Sequence, residues 1–192
     1  DPNIVGMNTV GDAALPNFQD GLSISNTAHN ITVGGYTQSV IPQNAFSGNL
    51  GYGIALYGNV YDINIFNSAV GLDVLKAAAV GNGAGGILYA SSGSGNVIGG
   101  ISSPNPLQPI ANYIGGNNGD GLILLYGTSD ATVMNNIFGM DRFGLPIVPN
   151  SGQALALNGA FGNNVVGNIG GNTGDIQLGL QPQSPYAQIE SL

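Results

Sequence analysis

Residues 115–124 read GGNNGDGLIL, and imperfect copies of this stretch return at a nearly fixed interval along the chain. The pair that opens its alternating segment recurs as Gly21-Leu22, Gly53-Ile54, Gly86-Ile87, Gly121-Leu122 and, with alanine first, Ala154-Leu155. The aliphatic residue therefore returns after 32, 33, 35 and 33 positions, a period that belongs to solenoids.

Each period contains alternation of step two. Leu22/Ile24, Ile54/Leu56, Ile87/Tyr89, Leu122/Leu124 and Leu155/Leu157 are expected to point inward on successive strands. A second short strand is expected at Ile31 to Val33, Ile63 to Ile65, Val97-Ile98, Val133-Met134 and Val165-Val166, and a third near Ala45-Phe46, Ala78 to Val80, Tyr113-Ile114 and Ile147-Val148. Three short strands separated by Gly and Asn turns within about 33 residues can wind as a coil. Helix is disfavoured because Gly is frequent and no apolar segment keeps a 3.6-residue spacing; residues 72 to 80 offer the single plausible turn of one.

A longer repeat lies over the coil repeat. Residues 3–24 align without a gap on residues 136–157, and a third copy runs from Gly71 to Ile87, with Asp73 matching Asn8 and Asp141. The other connection, Ile31 to Asn49, is echoed in Val97 to Asn117. Two loop families thus alternate: one holds Pro16, Pro146 and Pro149, the other Pro42, Pro104, Pro106 and Pro109. Both are expected outside the sheets, since proline cannot donate to a ladder, and at the same corner of the coil.

Composition narrows the function. The 192 residues include 33 Gly, no Cys and no Trp, with ten acids against Lys76 and Arg142 for a net charge of −8. Clusters of Lys and Arg are needed to bind a phosphate backbone, so nucleic acid is excluded as a partner. No run approaches the roughly 20 apolar residues of a membrane-spanning helix, so membrane insertion is not expected. The absence of Cys removes disulfides and thiolate metal sites.

The combination of N-x-I-G turns, GNNGDGL at 116–122 and GMDRFGLPIVPN at 139–150 resembles the right-handed parallel β-helix repeat proteins of the pectate-lyase-like superfamily, over residues 3 to about 178. The resemblance implies an all-β, right-handed parallel β-helix; the interval itself allows five to six coils, and residues 179–192 leave the repeat pattern as a tail. The resemblance also implies similarity to segments of large secreted or surface proteins of bacteria. Asn side chains at the turns are then expected to hydrogen-bond from coil to coil, about 4.8 Å apart.

The resemblance is silent on activity, because the fold serves lyases, glycosidases, tailspikes and adhesins. Enzymes of this kind need several acids and bases together on one outer face. Here Asp141-Arg142 is the one adjacent acid–base pair, and its place in a loop that elsewhere reads Asn8-Thr9 and Asp73-Val74 assigns it to turn chemistry. His29 stands alone beside Asn30 and is assigned the same way. Residues 115–123 differ from a calcium-binding nonapeptide at Asn118 only, which makes Asp120 a weak calcium candidate, but the nine-residue period never continues. No catalytic residue, metal or other cofactor is assigned.

The expected function is a non-catalytic, extracellular or cell-surface β-helical segment, a rigid spacer or adhesive surface cut from a longer protein, since its first residues enter in mid-coil. The rivals are a carbohydrate-active enzyme and a polysaccharide-binding module using Tyr36, Tyr57, Tyr61 or Tyr126. The outward positions of the first strand read Ala55/Tyr57, Leu88/Ala90, Ile123/Leu125 and Ala156/Asn158. So apolar a face calls for a cover, either the tail or another protein chain, including a second copy; Leu88, Ile123 and Leu125 are its expected interaction surface.

Overall fold

The computed structural model describes residues 3–35, 44–100 and 110–172, together with the strand backbone at 176–179 and 188–190. Among these residues there is no helix. Three parallel sheets of six strands each carry the chain, and neighbouring strands within a sheet lie one coil apart.

The first sheet contains Asn3–Val5, Asn44–Phe46, Ser68–Val70, Tyr113–Ile114, Ile137–Phe138 and Ile169–Gly170. The second contains Leu22–Ile24, Tyr52–Gly58, Gly85–Ser91, Leu122–Leu124, Leu155–Asn158 and Ile176–Gly179. The third contains His29–Val33, Tyr61–Ile65, Val97–Gly99, Thr132–Met134, Asn164–Val166 and Gln188–Glu190. The chain is a β-solenoid with three short strands per coil, as its period requires. Within the segment after Gly179, Gln188–Glu190 pairs with Asn164–Val166 and extends the third sheet.

Register follows the alternation. Leu22, Ile54, Ile87, Leu122 and Leu155 are successive partners in one ladder. Ile54, Leu56, Ile87, Tyr89, Leu122, Leu124, Leu155 and Leu157 belong to the main core cluster, whereas Ala55, Leu88 and Ala156 point away from it. A one-residue slip would have exchanged these sets.

The third strand is where the expectation fails in part. Ala45-Phe46 and Tyr113-Ile114 lie in strands of the first sheet, but Ala78 to Val80 and Ile147-Val148 do not; the strands of their coils are Ser68–Val70 and Ile137–Phe138. Val80 and Val148 are buried in a second, smaller cluster with Met7, Ala45, Ala69 and Leu72. They are loop residues folded back to fill a core, which is why they carry an apolar signal without ladder pairing.

The loop families also separate. The segments 6–21, 71–84 and 139–154 join the first sheet to the second, whereas 34–43 and 100–112 join the third to the first. They therefore leave at two different corners, opposite ends of the first-sheet strands. Pro42, Pro104, Pro106 and Pro109 lie outside the described residues, as does Tyr36.

Asparagine holds the corners. Asn17 Nδ2 donates to Asn49 Oδ1 at 2.9 Å, Asn49 to Asn82 at 2.9 Å, Asn82 to Asn117 at 2.9 Å, Asn117 to Asn150 at 2.7 Å and Asn150 to Asn172 at 3.4 Å. From Asn82 onward each Oδ1 also accepts the backbone N–H of the preceding member. A buried amide without partners costs roughly 1–3 kcal/mol, so the column is stable only because every coil repeats it. A second column, Asn112 to Asn136 to Asn168, runs at the entry to the first sheet. Gly71, at φ 85°, turns the chain against the first column, and a side chain there would strike Asn117 Oδ1.

Candidate functional site

Residues 6–21, 71–84 and 139–154 form three copies of one loop, built from the same turn. Asn8 Oδ1 accepts the N–H groups of Gly11 (2.8 Å) and Asp12 (3.2 Å). Asp73 Oδ1 accepts those of Ala77 (2.7 Å) and Ala78 (3.2 Å), and Asp141 Oδ1 those of Phe143 and Leu145, both at 2.9 Å. Each carboxamide or carboxylate caps its own loop, the local hydrogen bonding for which Asn and Asp are suited. Asp141 and Asp73 are turn-makers, as the alignment with Asn8 implies.

The intervening coils carry only short turns at 47–51 and 115–121, so the three loops reach each other. Val74 N–H donates to Gly11 O at 3.0 Å, and Arg142 N–H donates to Lys76 O at 2.8 Å. The result is a continuous wall parallel to the solenoid axis. Val10, Leu75 and Phe143, which occupy the same place in the three loops, are all exposed on it. Seven of the eleven large apolar side chains exposed among the described residues belong to these loops, so the apolar surface is concentrated there.

The wall also holds the chain's only lysine and only arginine, 66 residues apart in sequence. Lys76 occupies the left-handed position, at φ 54°, where the other copies have Gly11 (φ 75°) and Gly144 (φ 78°). That conformation costs a side-chain-bearing residue on the order of 1 kcal/mol. The Lys76 side chain is 3% exposed, with Nζ 4.4 Å from the centre of the Tyr113 ring. Burial, followed by the charge of Arg142, pushes its ammonium down to about 8. The Arg142 guanidinium lies 4.7 Å over the Phe143 ring, and its buried Nε has no hydrogen-bond partner. Burial raises the Tyr113 phenol, and the charge of Asp141 adds to this.

The tyrosines singled out from sequence are not gathered into a site. Tyr57 is the penultimate residue of its strand in the second sheet, and its hydroxyl donates to Asp20 Oδ2 at 3.0 Å. Burial and that bond push its phenol up to about 12. Tyr61 begins a strand of the third sheet and stacks on His29, with centroids 4.5 Å apart and planes 5° from parallel. Tyr126 is 77% exposed beyond the Leu122–Leu124 strand, two coils from Tyr57.

Asp120 Oδ1 accepts the Gln153 N–H at 2.8 Å, as Asp20 Oδ1 accepts the Tyr52 N–H at 2.8 Å one coil on. Both tie adjacent coils together. Among the described residues, no three His, Cys, Asp or Glu side chains gather as metal ligands.

On the outer face of the second sheet, Leu88 is buried, whereas Ile123 and Leu125 are half-buried. Most of the tail named as a cover, 180–187 and 191–192, lies outside the described residues. A groove of about 310 Å³ opens instead on the third sheet, between Thr32, Asn64, Phe66, Val97, Gly99, Gly100 and Ile110. None of the three described candidate tyrosines lines it.

Sequence reading missed the wall because Lys76 entered it only as a charge to be counted and Arg142 only as the partner of Asp141 in a turn. The signal was present in the loop alignment, where Lys76 stands opposite two glycines. Comparison of the chain with protein-family models, curated proteins and solved structures finds no match.

Proposed function

We propose that this chain is a non-catalytic, rigid β-solenoid segment of a larger extracellular or cell-surface protein, and that its loop wall is the adhesive face. The observation that supports this reading best is the asparagine column from Asn17 to Asn172, which ties six successive coils by direct amide contacts. A column of this kind makes a stiff rod, because opening any one coil strands buried amides on both neighbours. The acids fit the same reading: one carboxylate oxygen of Asp20, Asp73, Asp120 and Asp141 is already engaged by backbone N–H groups that shape a turn or join coils.

The test is incubation of the chain with neutral and acidic glycans, with and without calcium, followed by analysis of products. No turnover is expected. Turnover that disappears in Asp141→Asn or Asp120→Asn overturns the non-catalytic reading. A calorimetric melt of Asn117→Ala probes the rod itself, and a loss of about 2–3 kcal/mol is expected for a buried amide with partners on two coils.

A further inference from the structure

We propose that the junction between the second and third loops is a docking site for a sparsely charged, apolar polypeptide segment, with a carboxylate received by Arg142. Lys76 supplies a second positive charge beneath it. The proposal rests on the adhesive reading of the wall and specifies its ligand.

Three observations meet at this junction. A lysine stands in a left-handed conformation that the sibling loops give to glycine, and it is almost wholly buried. Arg142, whose backbone N–H donates to Lys76 O at 2.8 Å, is half-buried, and its Nε is sealed from solvent without a partner. The exposed Leu75, Phe143, Leu145 and Ile147 belong to the same two loops, and the Phe143 ring lies under the guanidinium. Asp73 and Asp141 share these two loops but spend Oδ1 on the backbone N–H groups of their own turns, so an external anion is what would complete the two like charges. Arginine is the better contact of the two, because its fork matches a carboxylate with two parallel hydrogen bonds.

The class of ligand follows from the rest of the surface. With a net charge of −8, the chain as a whole repels a polyanion, and Lys76 and Arg142 are the only Lys and Arg it has to offer one. A polyuronate or a nucleic acid carries one charge per unit and would be repelled beyond its first contact. The large apolar side chains exposed on these two loops are mainly aliphatic, Leu75, Leu145 and Ile147 with one ring, Phe143, and aliphatic groups do not satisfy sugar hydroxyls. Apolar side chains flanking one or two carboxylates match both features. Apolar contacts would supply affinity, and the carboxylate on Arg142 would fix register.

The experiment uses the full 192-residue chain and a fluorescent octapeptide alternating glutamate with leucine and phenylalanine, with binding followed by anisotropy. Saturable binding is expected. It should weaken at least about tenfold in Arg142→Gln, and severalfold in Lys76→Met. Replacing the glutamates of the peptide by glutamine should weaken it about tenfold as well.

Absence of saturable binding, or equal binding by the wild type and both variants, overturns the site. Tighter binding of a uronate oligosaccharide than of the peptide overturns the polypeptide class. Neither result touches the non-catalytic reading, which falls only to glycan turnover. If Arg142→Gln is poorly folded, Phe143→Ser, on an exposed side chain next to it, replaces it, and unchanged affinity in that variant counts against the site.

Discussion

The two junctions of the loop wall share one backbone and differ in what they hold. Between the first and second loops, Val74 N–H meets Gly11 O at 3.0 Å, with the valine side chain packed on the glycine. Between the second and third, Arg142 N–H meets Lys76 O at 2.8 Å, and the two residues bring like charges to one junction. The first junction shows what stacking requires: a small residue at the left-handed turn and an apolar one over it. The second departs from that solution in three ways at once, by conformation, by burial of a charge and by pairing like charges. Each departure is unfavourable, so the fold does not explain them. A residue set that the scaffold tolerates but does not need is where a ligand is to be sought.

The largest effect comes from forcing the cationic solution onto the apolar junction. Gly11→Lys places a side chain against Val74 and requires the left-handed conformation of a lysine. A loss of about 3 kcal/mol is expected in urea denaturation. A loss under about 1 kcal/mol would show that the first junction accepts bulk, and that Gly11 says nothing about the cost of Lys76.

The reverse exchange comes next. Lys76→Gly with Arg142→Val rebuilds the second junction as a copy of the first. It should stabilise the chain by about 2 kcal/mol, by relieving left-handed strain and a buried charge together. Destabilisation would make the cation pair a structural element, with the Lys76 contact on the Tyr113 ring outweighing its costs.

How much of this was legible in sequence depends on what repeats. The inward ladder from Leu22 to Leu155 was readable because five coils place an aliphatic residue at the same phase, and a period-two pattern has only one buried face. The asparagine column was readable for the same reason. The first-sheet strands were half misplaced because Val80 and Val148 are apolar residues of a loop that turns back to the core, and burial without pairing looks like a strand in one dimension. The site was not read as one, since Arg142 was weighed only with Asp141 as part of a turn and the chemistry lies in an exception to the repeat. Lys76 replaces a glycine in one copy of three, and Arg142 replaces a valine two coils away. Distance along the chain hid their contact, which exists only because the coil between them has a short turn.

Titration separates the junctions more gently. The Lys76 ammonium is held down to about 8, against an ordinary value of 10.5. A folded value below the unfolded one means that the unfolded chain holds this proton between about pH 8 and 10.5 while the folded chain has lost it. Stability therefore rises with pH in that window, and the penalty is fully present below it. Arg142 is the charge that acts on it, Tyr113 is the ring it lies over, and Asp141 acts in turn on Tyr113. The gain from pH 7.5 to 9.5 should be on the order of 1–2 kcal/mol. Above pH 10 the sign reverses, because Tyr57, pushed up to about 12, stays neutral in the folded chain while its unfolded counterpart ionises. Lys76→Gly should flatten the rise below pH 10 and leave the fall above it. A rise that survives in Lys76→Gly would assign the window to another group.

The smallest effect isolates the outermost layer of the two junctions. Val10 and Phe143 hold the same place in the first and third loops and are 67% and 69% exposed. Loss of surface burial is therefore nearly equal for Val10→Ser and Phe143→Ser, and each should cost less than about 0.5 kcal/mol on that account. The difference between them is what the ring does for its neighbour: the Arg142 guanidinium lies 4.7 Å over Phe143, whereas Thr9, the residue in the corresponding place beside Val10, has no charge to offer. An exposed contact of this kind contributes about 0.5–1 kcal/mol. Phe143→Ser should accordingly be the more costly of the two by that margin in parallel urea titrations. Combined with Arg142→Val, its extra cost should vanish, because the partner of the ring is gone. An extra cost that persists in the double variant would mean that Phe143 packs on the wall in its own right, and that the ring is not there to hold the guanidinium in place.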